Sequence, residues 1–291
     1  MSVAARKKGL AWLLLSLLAW LVGCDVSSGY TRKDGLWDYG GKRQFVPLDP
    51  ASFRPLDALF ARDAQRGYYR GDVIEGSDGK SFEVLSEHEA RDAHAVYYAD
   101  TYRKGQEYWT VRHIKTHTIA GADPASYRVL EHGYARDAGH AFYEGLAFKV
   151  RDPASFEPLN PRFARDAQCG YYERIEIPGS HGPSFALLDI RDIDFARDRA
   201  QVYHGHIDTT EANQPVPVLG VLRGADVATI RIVGRGYVAD AKGLWFRSQP
   251  VAGADLASFK INADYASDTD ATDAAHSYRQ GVQITVTAKA P

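Results

Sequence analysis

Hydrophobic and polar positions repeat along this chain as a unit. An apolar residue, Ala, a charged Arg-Asp step, a short variable stretch and an aromatic pair make up FARDAQRGYY at 60–69. The same order returns as EARDAHAVYY (89–98), YARDAGHAFY (134–143) and FARDAQCGYY (163–172). Weaker copies are FARDRAQVYH (195–204) and YVADAKGLWF (237–246), while 32–38 and 273–279 read as degraded terminal copies, as expected at the ends of an array. Five positions after the anchor Asp an aromatic recurs: Tyr68, Tyr97, Phe142, Tyr171, Tyr203, Trp245 and Tyr278, with Trp37 in the first partial copy.

A second marker, DPASF or DPASY with Leu three residues on, runs from Asp49 to Leu56, Asp123 to Leu130 and Asp152 to Leu159. Looser versions end at Phe82, Phe185, Ile230 and Phe259. From marker to anchor Asp the spacing is ten residues in five copies, as from Phe53 to Asp63. From anchor aromatic to the next marker it is usually 14, but 30 after Tyr97 and 27 after Tyr203. Insertions therefore fall in one half of the unit, Tyr98 to His117 and His204 to Gly220.

The anchor segment reads as a strand entered from an Asp turn, since Asp side chains bond nearby N–H groups and aromatics suit a pleated surface. In AFYEGLAFKV, Gly145 separates two apolar runs, a hairpin signal. The marker offers Asp as N-cap and Pro at the first helical position, with Phe156 and Leu159 on one side of a helical turn. Each unit is thus expected to be a β-hairpin plus a short helical turn. A unit of about 30 residues cannot bury its aromatic face alone, so neighbours must share a core. The expected fold is all-β: about seven hairpin repeats over 30–291, stacked as a solenoid-like or twisted array. Propeller-like closure is the alternative, disfavoured because blades need four strands.

The copies resemble the DKNYY family of bacterial repeat proteins, marked by tyrosine, alanine, a basic residue and aspartate running into a tyrosine pair. Here that is YARD or FARD followed by Val96-Tyr97-Tyr98 and its equivalents, from about Tyr30 to the C-terminus. The chain departs from the pattern in lacking Lys and Asn between Asp and the pair, and in its two insertions. The resemblance implies a repeat fold in envelope proteins, with no established catalytic activity and no site to carry over.

Ahead of the repeats, Arg6, Lys7 and Lys8 precede an apolar run from Gly9 to Val22 and then Gly23-Cys24. Residues 1–23 read as a secretory leader, and Leu21-Val22-Gly23-Cys24 resembles the bacterial lipobox, in which the thiol is acylated and becomes the first residue. The bland alternative is an ordinary leader with a chance thiol. Residues 24–29 are then a short tether to a bacterial membrane, inner or outer being left open although Asp25 follows the cysteine. Removing three cations takes the net charge from -2 to about -5, and 35 basic residues interleave with 37 acidic ones, so no basic stripe points to nucleic acid. Cys169 alone remains after Cys24, so no intramolecular disulfide is expected.

The recurring Asp suggests either a calcium ladder or, more simply, a turn cap or ion pair. The histidine pairs are read two ways as well: His113 and His117 on a helix, or His204 and His206 on a strand, aimed at one metal, or packed without one. No GxSxG, HExxH or phosphate-cradling loop is present, and no cofactor is expected. The first insertion carries Tyr102, Arg103, Tyr108, Trp109, Arg112 and Lys115, a mixture suited to an envelope protein, an anionic glycan or a headgroup, unless Tyr108 and Trp109 merely extend the core. The second insertion, with Pro215 and Pro217, reads as a plain loop. The leading expectation is a non-catalytic tethered scaffold that binds a protein or envelope polymer. The alternatives are a metal-binding protein or metal-dependent hydrolase, and a plain spacer.

Overall fold

A computed structural model describes residues 29–41, 43–210, 215–265 and 267–284. The leader, Cys24 and Asp25 lie outside them. The described chain forms eight small antiparallel sheets in chain order, each a meander whose neighbouring strands are consecutive. Unit 1 has three strands, Tyr30–Lys33, Leu36–Tyr39 and Arg43–Phe45; every later unit has four. Unit 5 shows the pattern: Glu157–Pro158, Phe163–Arg165, Gly170–Tyr172 and Ile175–Glu176, preceded by a 3-10 turn at Pro153–Ser155.

The expected two-stranded hairpin is therefore half of the unit. The stretch before the anchor Asp is itself a strand, and the two residues after each marker pair with it, as Arg54 with Arg62 and Pro55 with Ala61. Strands of two or three residues carry too little alternation to announce themselves. The marker is not a full helical turn either, because Glu157–Pro158 is already extended and Leu159 lies beyond that strand. Four strands per unit is a blade-like count, which removes the strand-number argument against a propeller. Yet none of the shared cores among the described residues joins unit 8 back to unit 1, and the units form an open series.

Both insertions lengthen the third and fourth strands of a unit. In unit 3, Val96–Tyr102 pairs with His113–Thr118; in unit 6, Val202–Asp208 pairs with Val216–Val221. The second insertion is thus a strand where a loop was expected. Pro217 is tolerated because it sits opposite Ile207 on the outermost strand, where its missing N–H leaves no ladder bond unmade.

Packing follows the period of two along each strand. In unit 2, Ala61 and Tyr68 face back to Tyr30 and Phe53, while Phe60 and Tyr69 face forward to Phe82, Ala90 and Tyr97 of unit 3. The same division recurs down the chain, giving seven shared cores for eight sheets. All seven aromatics at the fifth position after the anchor are buried. At Gly170 no side chain fits, since the ring of Phe185 from unit 6 lies 2.5 Å from where a Cβ would stand. Cys169 is buried in the core between units 4 and 5, where burial pushes its thiol pKa up.

The anchor aspartates tie each unit together. One carboxylate oxygen of Asp166 accepts the N–H groups of Gln168 and Cys169, both at 2.7–2.8 Å. The other accepts the Tyr171 hydroxyl at 2.5 Å and the N–H of Asp152, in the marker, at 2.9 Å. Asp63, Asp92, Asp198 and Asp273 repeat all four bonds, and Asp137 and Asp240, which face Phe142 and Trp245, keep the three that need no hydroxyl. The marker Ser closes a further link: Ser155 Oγ accepts the N–H of Ala167. Where an Arg precedes the anchor it does not pair with it. Arg62, Arg91, Arg165 and Arg197 instead donate to backbone carbonyls of the following marker, at 2.7–2.9 Å for the closest of each. The repeated Asp is a capping group whose oxygens are already occupied.

Two outcomes follow for stability. Burial opposes ionisation of Asp166, but bonds from Tyr171 and the N–H groups of Cys169, Gln168 and Asp152 outweigh it and hold the carboxyl below its usual pKa. Asp166→Ala, which strands several buried donors, should cost on the order of 3 kcal/mol or more in denaturant titration, and Asp166→Asn less, since its carbonyl can still cap the turn. Equal losses would contradict the charge-assisted network. Phe156→Ala should cost about 3–5 kcal/mol and accelerate hydrogen exchange in units 4 and 5 before units 1 and 8; uniform acceleration would show that the array unfolds as one body.

Candidate ligand-binding cleft

The first insertion is a long hairpin on which Ile114, near the outer end of the ladder, packs against the core between units 2 and 3. Its tip, with a 3-10 turn at Gly105–Glu107, shares a cleft of about 450 Å³ with Tyr39 and Gly40 of unit 1 and Arg70 of unit 2. From the hairpin the lining includes Thr101, Arg103, Trp109, Thr110, Val111, Arg112 and Ile114. The tip is internally braced. Arg103 donates to the Tyr108 carbonyl at 2.7 Å, His113 bonds Glu107 at 2.9 Å, and Tyr102 stacks on His113 at 5.1 Å. The Tyr108 and Trp109 rings meet edge to face at 5.0 Å.

Arg70 enters the cleft from a tight turn, at φ 51° just before Gly71 at φ 87°, the pair of left-handed residues a two-residue hairpin turn requires. Its guanidinium lies over Tyr39 at 5.7 Å and Tyr69 at 5.6 Å, and its buried Nε has no partner. Among the described residues none of Arg70, Arg103 and Arg112 forms an ion pair with a carboxylate, and no acidic residue lines the cleft. Burial raises the Tyr39 pKa, Arg70 and more weakly Arg112 oppose the rise, and Tyr69 and Asp57 add to it. The lining thus sets three arginines beside Tyr39 and Trp109, an arrangement with the chemistry to receive an anion attached to a ring or chain.

Of the residues singled out in the sequence, Arg103, Trp109 and Arg112 line this cleft and Tyr108 braces Trp109. Tyr102 and Lys115 are outside the lining, and Lys115 stands opposite Asp100 in the ladder. Tyr108 and Trp109 are 48% and 84% exposed, so they do not extend the core. Tyr39 and Arg70 had no distinguishing signal: each sits at a turn-flanking position that every unit has, and only the folded hairpin brings them to it.

The histidines fall elsewhere. His113 and His117 occupy a strand, not a helix, roughly 13 Å apart at 3.3 Å per residue. Each faces a tyrosine across the ladder, Tyr102 and Tyr98. His204 takes the place that Tyr69, Tyr143, Tyr172 and Phe246 hold in other units, 4.8 Å from Phe195, with His206 stacked on it at 5.4 Å. Among the described residues no group of three or more His, Cys, Asp or Glu comes together to hold an ion. Nor is any described helix long and apolar enough to cross a membrane.

The fold and cleft define a tandem β-meander repeat protein with a basic edge groove. Residues 24–101, a stretch that takes in units 1 and 2 and most of the strands of unit 3, match the model of the DKNYY family. No curated protein and no solved structure matches the chain.

His204 makes the fold acid-sensitive. Burial, with smaller repulsion from His206, Arg247 and Arg162, lowers its pKa from 6.5 to about 3. The unfolded chain therefore takes up that proton first as pH falls, and stability declines from about pH 6.5 towards 3. His117, also lowered by burial, adds in the same direction. His204→Phe, the aromatic that unit 7 carries, should lessen the drop in Tm between pH 7 and pH 5; an unchanged drop would refute the assignment.

Proposed function

We propose that the protein is a non-catalytic scaffold, exported and tethered to a bacterial membrane through acylated Cys24, that binds a protein or envelope polymer at the cleft beneath the first insertion. The basic leader, the apolar run and the LVGC sequence support the tether. The observation that carries the binding reading is the cleft itself: three arginines without carboxylate partners, beside an exposed indole, on a hairpin braced by its own hydrogen bonds. Rigid repeats that share cores supply the platform from which such a hairpin projects.

Two measurements test this reading. Full-length protein should incorporate labelled fatty acid and stay with membranes through a high-salt wash, and Cys24→Ser should take up no label and be released by that wash; labelling that survives the substitution would end the tether. Replacing Arg103–Arg112 by a short Gly-Ser turn should leave Tm within a few degrees of the parent but weaken retention on isolated envelope material by roughly tenfold or more. Retention unaffected by that replacement would move the binding surface elsewhere.

A further inference from the structure

The hairpin tip has the make-up of a membrane-surface contact, and its position fits one. Tyr108, Trp109 and Val111 stand exposed beside Arg103, Lys104 and Arg112. Between Arg103 and Lys115 four cations face the single acid Glu107, a local charge of +3 in a chain of net charge -2. Amphipathic rings settle at the headgroup level of a bilayer, and Lys and Arg beside them meet anionic lipid phosphates. Trp109 meets Tyr108 edge to face and leaves most of its indole in solvent.

Location supplies the second argument. The cleft is walled by Tyr39 and Gly40 of unit 1, the unit nearest Cys24 in the chain. The six residues from Cys24 to Tyr30 reach about 20 Å when fully extended. An acyl chain on Cys24 therefore holds this edge of the array close to the headgroups, where a basic cleft next to an exposed indole has an anionic surface to meet.

We infer that the tip and its cleft dock on the anionic, phosphate-bearing surface of the bilayer. Trp109 and Tyr108 enter at headgroup depth, and Arg70, Arg103 and Arg112 receive a lipid phosphate. This gives the same cleft a lipid phosphate in place of a protein or envelope polymer, and it rests on the proposed acyl tether for the nearness of the membrane. One lipidated residue and one basic, aromatic contact together fix the orientation of the array, which a flexible tether alone leaves free.

The test uses the chain from residue 24 onward, which contains every described residue, with Cys24→Ser so that no acyl chain contributes. It should co-sediment with vesicles of phosphatidylglycerol and phosphatidylethanolamine, with a blue shift of Trp109 emission that Trp109→Phe removes, and should leave phosphatidylcholine vesicles unbound. Arg103→Gln and Arg112→Gln should each weaken binding roughly fivefold, and added salt should do likewise. Lys149→Gln, an exposed cation elsewhere, should change nothing. Equal binding to both vesicle types, binding without a Trp109 shift, or capture of an acidic glycan or peptide with no vesicle binding would each overturn the inference. Glycerol phosphate that competes as well as vesicles do would reduce the site to a phosphate receptor and overturn the bilayer assignment. The tether is judged separately: a native chain that takes up no fatty acid at Cys24, while its Cys24→Ser form still binds vesicles, would remove the tether alone, and an acylated native chain whose Cys24→Ser form ignores vesicles would remove the docking alone.

Discussion

Everything in this fold depends on a carboxylate that closes its own turn and reaches back to the start of its unit. With strands of two or three residues, a single sheet has few ladder bonds and no face it can bury alone. The anchor Asp compensates locally by fixing the turn between the second and third strands, and non-locally by accepting an N–H from the marker 14 residues earlier in units 2 to 5 and 7. The persistence of that bond where spacing changes is the better indication of its importance. In units 6 and 8 the gap grows to 17 and 18 residues, yet Asp198 still accepts the N–H of His181 and Asp273 that of Asp255. The extra residues sit between marker and second strand, with Ile190 and Tyr265 exposed to water.

The same network explains where the chain tolerates insertion. Residues added between marker and anchor must loop out without moving either end. Residues added after the anchor aromatic need only lengthen a pair of strands that ends in solvent. Both long insertions take the second route, and in each the ladder simply continues, six register pairs long. The edge formed by those turns is thus where the array varies and where its charged grooves lie, while the anchor turns stay closed around buried carboxylates.

The repeat was readable because its two strongest signals, an Asp and an aromatic five residues on, are directly bonded: Tyr68, Tyr97, Tyr171, Tyr203 and Tyr278 each donate to their own anchor. A local bond leaves a local pattern. The first and second strands were missed because segments as short as Arg54–Pro55 and Phe60–Arg62 show no period to detect, and their pairing is set through the anchor turn to the third strand. For the cleft, the hairpin residues stood out by composition, whereas Arg70 is one of several charged residues at equivalent turns, including Glu144 and Arg247. Its role comes from Tyr39 and the hairpin, residues 31 positions before and more than 30 after it, and such a meeting leaves no trace in sequence.

The hairpin also separates two grooves of opposite sign. On one side are Arg70, Arg103 and Arg112; on the other, between units 3 and 4, the lining includes Glu87, Glu89, Asp100 and Glu144. Glu89 is buried there because it stands opposite Tyr98, where other units pair two aromatics, and it is satisfied by the hydroxyls of Tyr127 at 2.8 Å and Ser86 at 2.7 Å. An anionic surface approaching this edge is attracted to the side nearest unit 1 and repelled from the side towards unit 4. Screening limits such fields to about 8–10 Å at physiological salt, so the distinction acts at contact rather than at a distance. The two faces of one hairpin therefore differ in charge, basic towards unit 1 and acidic towards unit 4.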